Sequence, residues 1–139
     1  MPTVEALQIK LRSGIPMKPQ DHVRLIGGLG IDGDANARSG SRRQVLMIPA
    51  ETLETFDLAP GDARENITTR GLDLHSLPRG TVLKVGSARL QLTVHCAPCK
   101  HLDDLRPGLS RDMQNQRGML FTVLDGGEVH VGDEIIVVI

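Results

Sequence analysis

Leu90-Gln91-Leu92-Thr93-Val94, inside the longer run Ala88 to His95, alternates apolar and polar side chains one for one, and this period of two decides the fold class. A helix would need apolar residues three and four apart, so the run is a strand with one buried face. The same reading extends outward on both sides. Leu7, Ile9 and Leu11 alternate with Gln8, Lys10 and Arg12, and further strands are expected at His22 to Ile26, Gln44 to Ile48, Asn66 to Thr69 and Thr81 to Val85. Beyond the central run come Met119 to Leu124, Glu128 to Val131 and Glu134 to Val138. Fifteen glycines punctuate these runs like corners, as in an all-β barrel or sandwich. The expectation is a mainly β, mostly antiparallel β-barrel of nine strands.

Helical signals are few. Pro49 followed by Ala50-Glu51-Thr52-Leu53-Glu54-Thr55-Phe56 places a proline at a first turn and acids after it, where the helix dipole favours them. A second short helix is read at Leu109 to Gln116. Asp125-Gly126-Gly127-Glu128 reads as a tight reversal between two strands. No repeat or linker divides the chain, so residues 1 to 139 are read as one domain.

Composition limits the function. The apolar fraction of 40% is almost wholly aliphatic, with no Trp or Tyr and with Phe56 and Phe121 as the aromatics. Sixteen Lys and Arg stand against 17 Asp and Glu, so neither base stacking nor an excess of positive charge recommends a nucleic-acid partner. No apolar run approaches a membrane span and the N-terminus carries no secretory pattern, so the expected compartment is the cytoplasm. There, two cysteines read as thiols, metal ligands or catalytic groups rather than as a structural disulfide.

Those cysteines lie in His95-Cys96-Ala97-Pro98-Cys99-Lys100-His101, immediately after the central strand. Pro98 cannot donate to a sheet ladder, which ends regular pairing and leaves Cys99 at a strand end that a substrate can reach. Lys100, His101 and Arg106 supply positive charge beside a thiol whose ionised form attacks sulfur or binds metal. A redox Cys-x-x-Cys would want a βαβ setting, which is not visible. A zinc site from His95, Cys96, Cys99 and His101 would squeeze four ligands into seven residues. The preferred reading is one functional thiol, Cys99, with Cys96 a small buried residue, although two cysteines that merely fill space remain an open alternative.

A second stretch, Pro60-Gly61-Asp62-Ala63-Arg64-Glu65-Asn66-Ile67, offers Arg and Asn to an anionic group, or else Asn66 serves only a local turn. Gly28 to Asp34 is glycine-rich but no helix pattern follows, so it is not a nucleotide loop; Asp32 and Asp34 would satisfy backbone or pair with Arg38, Arg42 or Arg43. His22, His75 and His130 have no evident catalytic partner.

In order along the chain, Gly30 to Ala37, Arg43-Gln44-Val45-Leu46, Pro60-Gly61-Asp62 with Arg64 to Ile67, Gly71-Leu72-Asp73-Leu74, Pro98-Cys99 and Gly127 to Asp133 resemble the MOSC family. The resemblance implies a β-barrel, with Cys99 as the functional thiol. It also implies Arg64 and Asn66, with Arg43 and Glu65 as lesser candidates, near a cofactor phosphate. Two activities follow as expectations. In the first, Cys99 carries sulfur as a persulfide from a cysteine desulfurase, a pyridoxal phosphate enzyme, to molybdenum cofactor or another metal–sulfur assembly, such as a molybdoenzyme. In the second, the domain itself binds molybdopterin, Cys99 ligates molybdenum, and N-hydroxylated compounds are reduced. Roughly 140 residues spent on a small barrel leave little chain for the walls of a pterin pocket, which favours the carrier.

Overall fold

A computed structural model of the chain describes residues 1–138. Eleven strands and three helices are present among them. The first half of the chain holds β1 (Thr3–Ile9), β2 (Lys18–Gln20), β3 (His22–Ile26), β4 (Gly30–Ile31), β5 (Val45–Pro49), α1 (Ala50–Thr55) and β6 (Ile67–Arg70). The second half holds β7 (Val82–Val85), β8 (Ala88–His95), α2 (Lys100–Leu105), α3 (Leu109–Asp112), β9 (Met119–Asp125), β10 (Gly127–His130) and β11 (Ile135–Val138). The fold is mainly β, as the alternation of β8 implies: Ala88, Leu90 and Leu92 are buried while Arg89 is exposed.

The sheet is mixed, and it does not close into a barrel. Eight strands run in the order β11-β7-β8-β9-β5-β6-β1-β2, and β10-β3-β4 form a second, three-stranded sheet. β5 and β6 pair in parallel, since α1 and the loop after it carry the chain back over the sheet, and the other pairings are antiparallel. The failure to close has a local cause. β1 gives one edge to β6 and shares the other: Leu7 to Ile9 are taken by β2, leaving only Thr3 to bridge Glu134 at the approach to β11. Three further backbone bonds stitch this seam: Val4 N to Asp133 O and Gly132 N to Val4 O, both at 2.8 Å, and Ile135 N to Pro2 O at 2.9 Å.

Other expectations are adjusted by tertiary context. β1 begins four residues before the predicted Leu7 and ends at Ile9. A bulge between Val4 and Ala6 lets both Val4 and Leu7 face inward, and Leu11 is exposed beyond the strand. The Asp125 to Glu128 reversal does not close a hairpin, because β10 pairs with β3 in the second sheet. The helix not expected from sequence, α2, follows Cys99 and buries little besides Leu102, too weak a pattern to be seen there. Of the closing apolar run, Ile135 is buried while Ile136 and Val137 are exposed; Ile139 lies outside the described residues.

The main core is aliphatic around Phe121, between the two sheets. Ile48, Leu53, Ala63, Leu102, Leu109 and Met113 form a satellite core that fixes the three helices. Each such Leu or Ile contributes roughly 1.5–3 kcal/mol by leaving water. A third cluster, Leu46, Cys96 and Leu120, backs the region around Cys99.

Candidate functional site

β8 delivers its last residue, His95, opposite Met119 of β9. One residue on, the Cys96 backbone N donates to Gly118 O at 2.9 Å, and its thiol turns inward onto Leu46 and Leu120. Burial pushes the Cys96 thiol above its ordinary pKa, against the pull of Arg117 and Arg43. After Pro98 the chain leaves the sheet, and Cys99 is the extended residue that begins α2, with an exposed side chain. The division into one buried and one exposed thiol is the one expected.

Cys99 stands at a cavity of about 360 Å³. Lys10, Arg43, Arg64 and Arg117 line it together with Cys96 and His101, and no carboxylate among the described residues does. These residues come from distant segments. Lys10 follows β1, Arg43 precedes β5, Arg64 lies three residues before β6, and Arg117 lies two residues before β9. Arg64 sits in left-handed backbone, φ 65°, a strained conformation for a side chain of its size, and its Nη1 donates to Ile15 O at 2.7 Å. His101 of α2 donates through Nε2 to Asp62 O at 2.8 Å, tying the helix that starts at Cys99 to the loop that carries Arg64.

Two residues predicted by resemblance are not on the wall. Asn66 is buried, and its amide is spent on the protein: Oδ1 accepts from Leu46 N at 3.0 Å, and Nδ2 donates to Asp34 Oδ1 at 3.0 Å and Gln8 O at 3.3 Å. Glu65 is buried too, its Oε2 accepting from Gly61 N at 2.9 Å and Thr68 Oγ1 at 2.7 Å. Burial pushes its carboxyl above the ordinary glutamate range. Both brace the loop that presents Arg64. Asp34 likewise serves backbone, accepting from Lys10 N and Asn36 N, and is not seen paired with an arginine. Arg106 is turned away from Cys99 and donates to Phe56 O and Asp57 O at the end of α1.

The residue that sequence reading missed is Arg117. It is 3% exposed, and its Nη2 donates to Cys99 Sγ at 3.9 Å. Its Nε and Nη1 have no partner among the described residues. Nothing in Gln116-Arg117-Gly118 marks it as special. The signal lies in the register: once β8 and β9 are paired at His95 and Met119, Arg117 must fall beside the residues after His95. Gly118 secures the placement. Its φ is 106°, a Cβ there would meet Met47 O at 2.6 Å, and its N donates to His75 Nε2 at 2.9 Å.

The MOSC domain family model matches residues 34–136, and the chain belongs to this family. Nothing matches among curated proteins. Among solved structures, the YuaD protein from Bacillus subtilis is 23% identical, with a TM-score of 0.79 over 97% of this chain and 94% of that one. YiiM from Geobacillus stearothermophilus is 18% identical, with a TM-score of 0.81 over 100% and 76% of the two chains. YiiM from Escherichia coli is 22% identical, with a TM-score of 0.73 over 99% and 70%. At these identities the likeness shows a shared fold.

Among the described residues no three His, Cys, Asp or Glu side chains converge as a metal site. The molybdenum cofactor associated with the family would instead meet one thiol and a cationic wall. Arg43, Arg64 and Lys10 have the charge and donor chemistry to take its phosphate.

Proposed function

We propose that the domain is a sulfur carrier in which Cys99 accepts sulfur as a persulfide from a cysteine desulfurase and passes it to molybdenum cofactor or another metal–sulfur assembly. The observation that carries this reading is an exposed thiol with a buried guanidinium, Arg117, 3.9 Å from its sulfur. In the transfer, Cys99 thiolate attacks the terminal sulfur of the donor's persulfide, and the donor cysteine leaves as thiolate. The new Cys99 persulfide is an anion, and a charged donor beside it favours that form. Cys96, buried against Leu46 and Leu120, is not placed to meet a protein donor.

The same cationic wall supports a second reading, a molybdopterin-binding reductase of N-hydroxylated compounds with Cys99 as the molybdenum ligand. Arg43 and Arg64 would hold the phosphate and Cys99 would offer the soft ligand, while the metal would supply the two-electron reduction. One set of preparations separates the two. Incubation with a desulfurase and cysteine should add one sulfur, by intact mass, to the native protein and to Cys96→Ala but not to Cys99→Ala. Stoichiometric molybdenum in protein from a host that makes the cofactor, lost in Cys99→Ser, would replace the carrier with the reductase.

A further inference from the structure

We propose that the cavity beside Cys99 is a subsite for a small dianionic sulfur oxyanion of the thiosulfate class, so that Cys99 can be charged by a low-molecular-weight donor as well as by a protein. The inference rests on the carrier reading and adds the chemical class of a donor to it.

Four cationic side chains, Lys10, Arg43, Arg64 and Arg117, surround this space, with no carboxylate among the described residues on its wall. At about 360 Å³ the cavity is near the lower end of ligand pockets, which run roughly 300–1,000 Å³, so it suits a small anion. Arg117 is the second, independent sign of a ligand. A guanidinium has five donors and needs compensation when buried, yet here one contact to a sulfur is made and two nitrogens have no partner. The buried Glu65 carboxyl feels the Arg117 charge, but no hydrogen bond joins the two: its Oε1 and Arg117 Nε and Nη1 are each left without a partner among the described residues. An anion in the cavity would add to the compensation of this charge from the side of Nη2, the nitrogen that contacts Cys99. Cys99 Sγ, in contact with Arg117 Nη2, then stands next to whatever the guanidinium holds.

Thiosulfate matches both halves of the site. Its three oxygens suit the cationic wall, and its outer sulfur suits attack by a thiolate. Cys99 thiolate attacks that sulfur, the sulfur–sulfur bond of thiosulfate breaks, and sulfite leaves with the electron pair. Cys99 persulfide remains, and three negative charges stand on each side of the step. No oxidant or reductant is required.

The test compares two donors on the intact protein, desulfurase with cysteine in one arm and thiosulfate in the other. Thiosulfate should add one sulfur to Cys99 and release one sulfite per label, and sulfate should compete more strongly than chloride at equal ionic strength. Arg117→Met should raise the thiosulfate concentration for half-labelling at least about tenfold, the scale of one lost charge-assisted hydrogen bond, and Arg117→Lys should recover part of that loss. The sulfate competition needs no variant, so it decides the matter even if Arg117→Met fails to fold. Labelling by desulfurase but not by thiosulfate overturns the inference and leaves the carrier standing. Labelling by neither overturns both. Thiosulfate labelling insensitive to sulfate, or unchanged in a folded Arg117→Met, overturns the subsite.

Discussion

Asn66, expected near a cofactor phosphate, spends its amide on the protein itself. Its side chain is not on the wall of the cavity at Cys99 but joins three segments, bonding Leu46 N, Gln8 O and Asp34 Oδ1. Asn66→Ala strands buried polar groups on each, so it should cost roughly 2–3 kcal/mol in urea unfolding. A variant as stable as the native protein but weaker in anion binding would restore Asn66 to the ligand wall. Cys99 was legible because its signal is local: a proline stops the ladder and a thiol follows. Arg64 was offered as an anion contact by its own stretch and singled out by resemblance, whereas nothing local marked Arg117, because its place beside Cys99 arises from a partner strand rather than from its neighbours in sequence.

Strands announced themselves through alternation, yet the elements around the site did not. α2 is six residues long with one buried apolar side chain, and what holds it is the His101 to Asp62 bond and the satellite core, both of them tertiary. β2 and β4, at three and two residues, fall below any periodicity. The link between the Leu74–Ser76 turn and β9 carries a pH dependence. His75 Nε2 accepts from Gly118 N, which requires a neutral ring. Burial, with His95 stacked at 6.2 Å as a second cause, holds the His75 pKa below the ordinary value. A depressed histidine contributes stability that is complete above about pH 6.5 and is lost as pH falls through its folded value. His75→Gln keeps an acceptor and does not titrate, so its urea midpoint should fall less than the native one between pH 7 and pH 5, both figures being approximate bounds of that window. Parallel pH curves for the two proteins would show that the ring does not titrate on folding.

At the scale of the whole molecule the decisive feature is the seam, where one bridge and its flanking bonds stand in for a ladder. Counting strands from sequence suggested closure, but only the competition of β2 for the edge of β1 shows why closure stops short. In native-state hydrogen exchange the amides of Val4, Gly132 and Ile135 should therefore exchange faster than those of the β8 and β9 ladder. Equal protection would mean that the seam opens only with global unfolding. The cavity has its own global origin. Its charged wall draws on Lys10, Arg43, Arg64 and Arg117, and its thiol on Cys99, so no short contiguous fragment contains the site. β1 waits for β6, and the seam waits for Glu134, near the end of the described chain. Non-local pairing of this kind folds slowly, on the order of milliseconds to seconds. A nascent chain consequently displays Cys99 before Arg117 and Gly118 have left the ribosome to stand beside it. During synthesis the thiol is accessible without its cationic setting, which requires the pairing of β8 with β9.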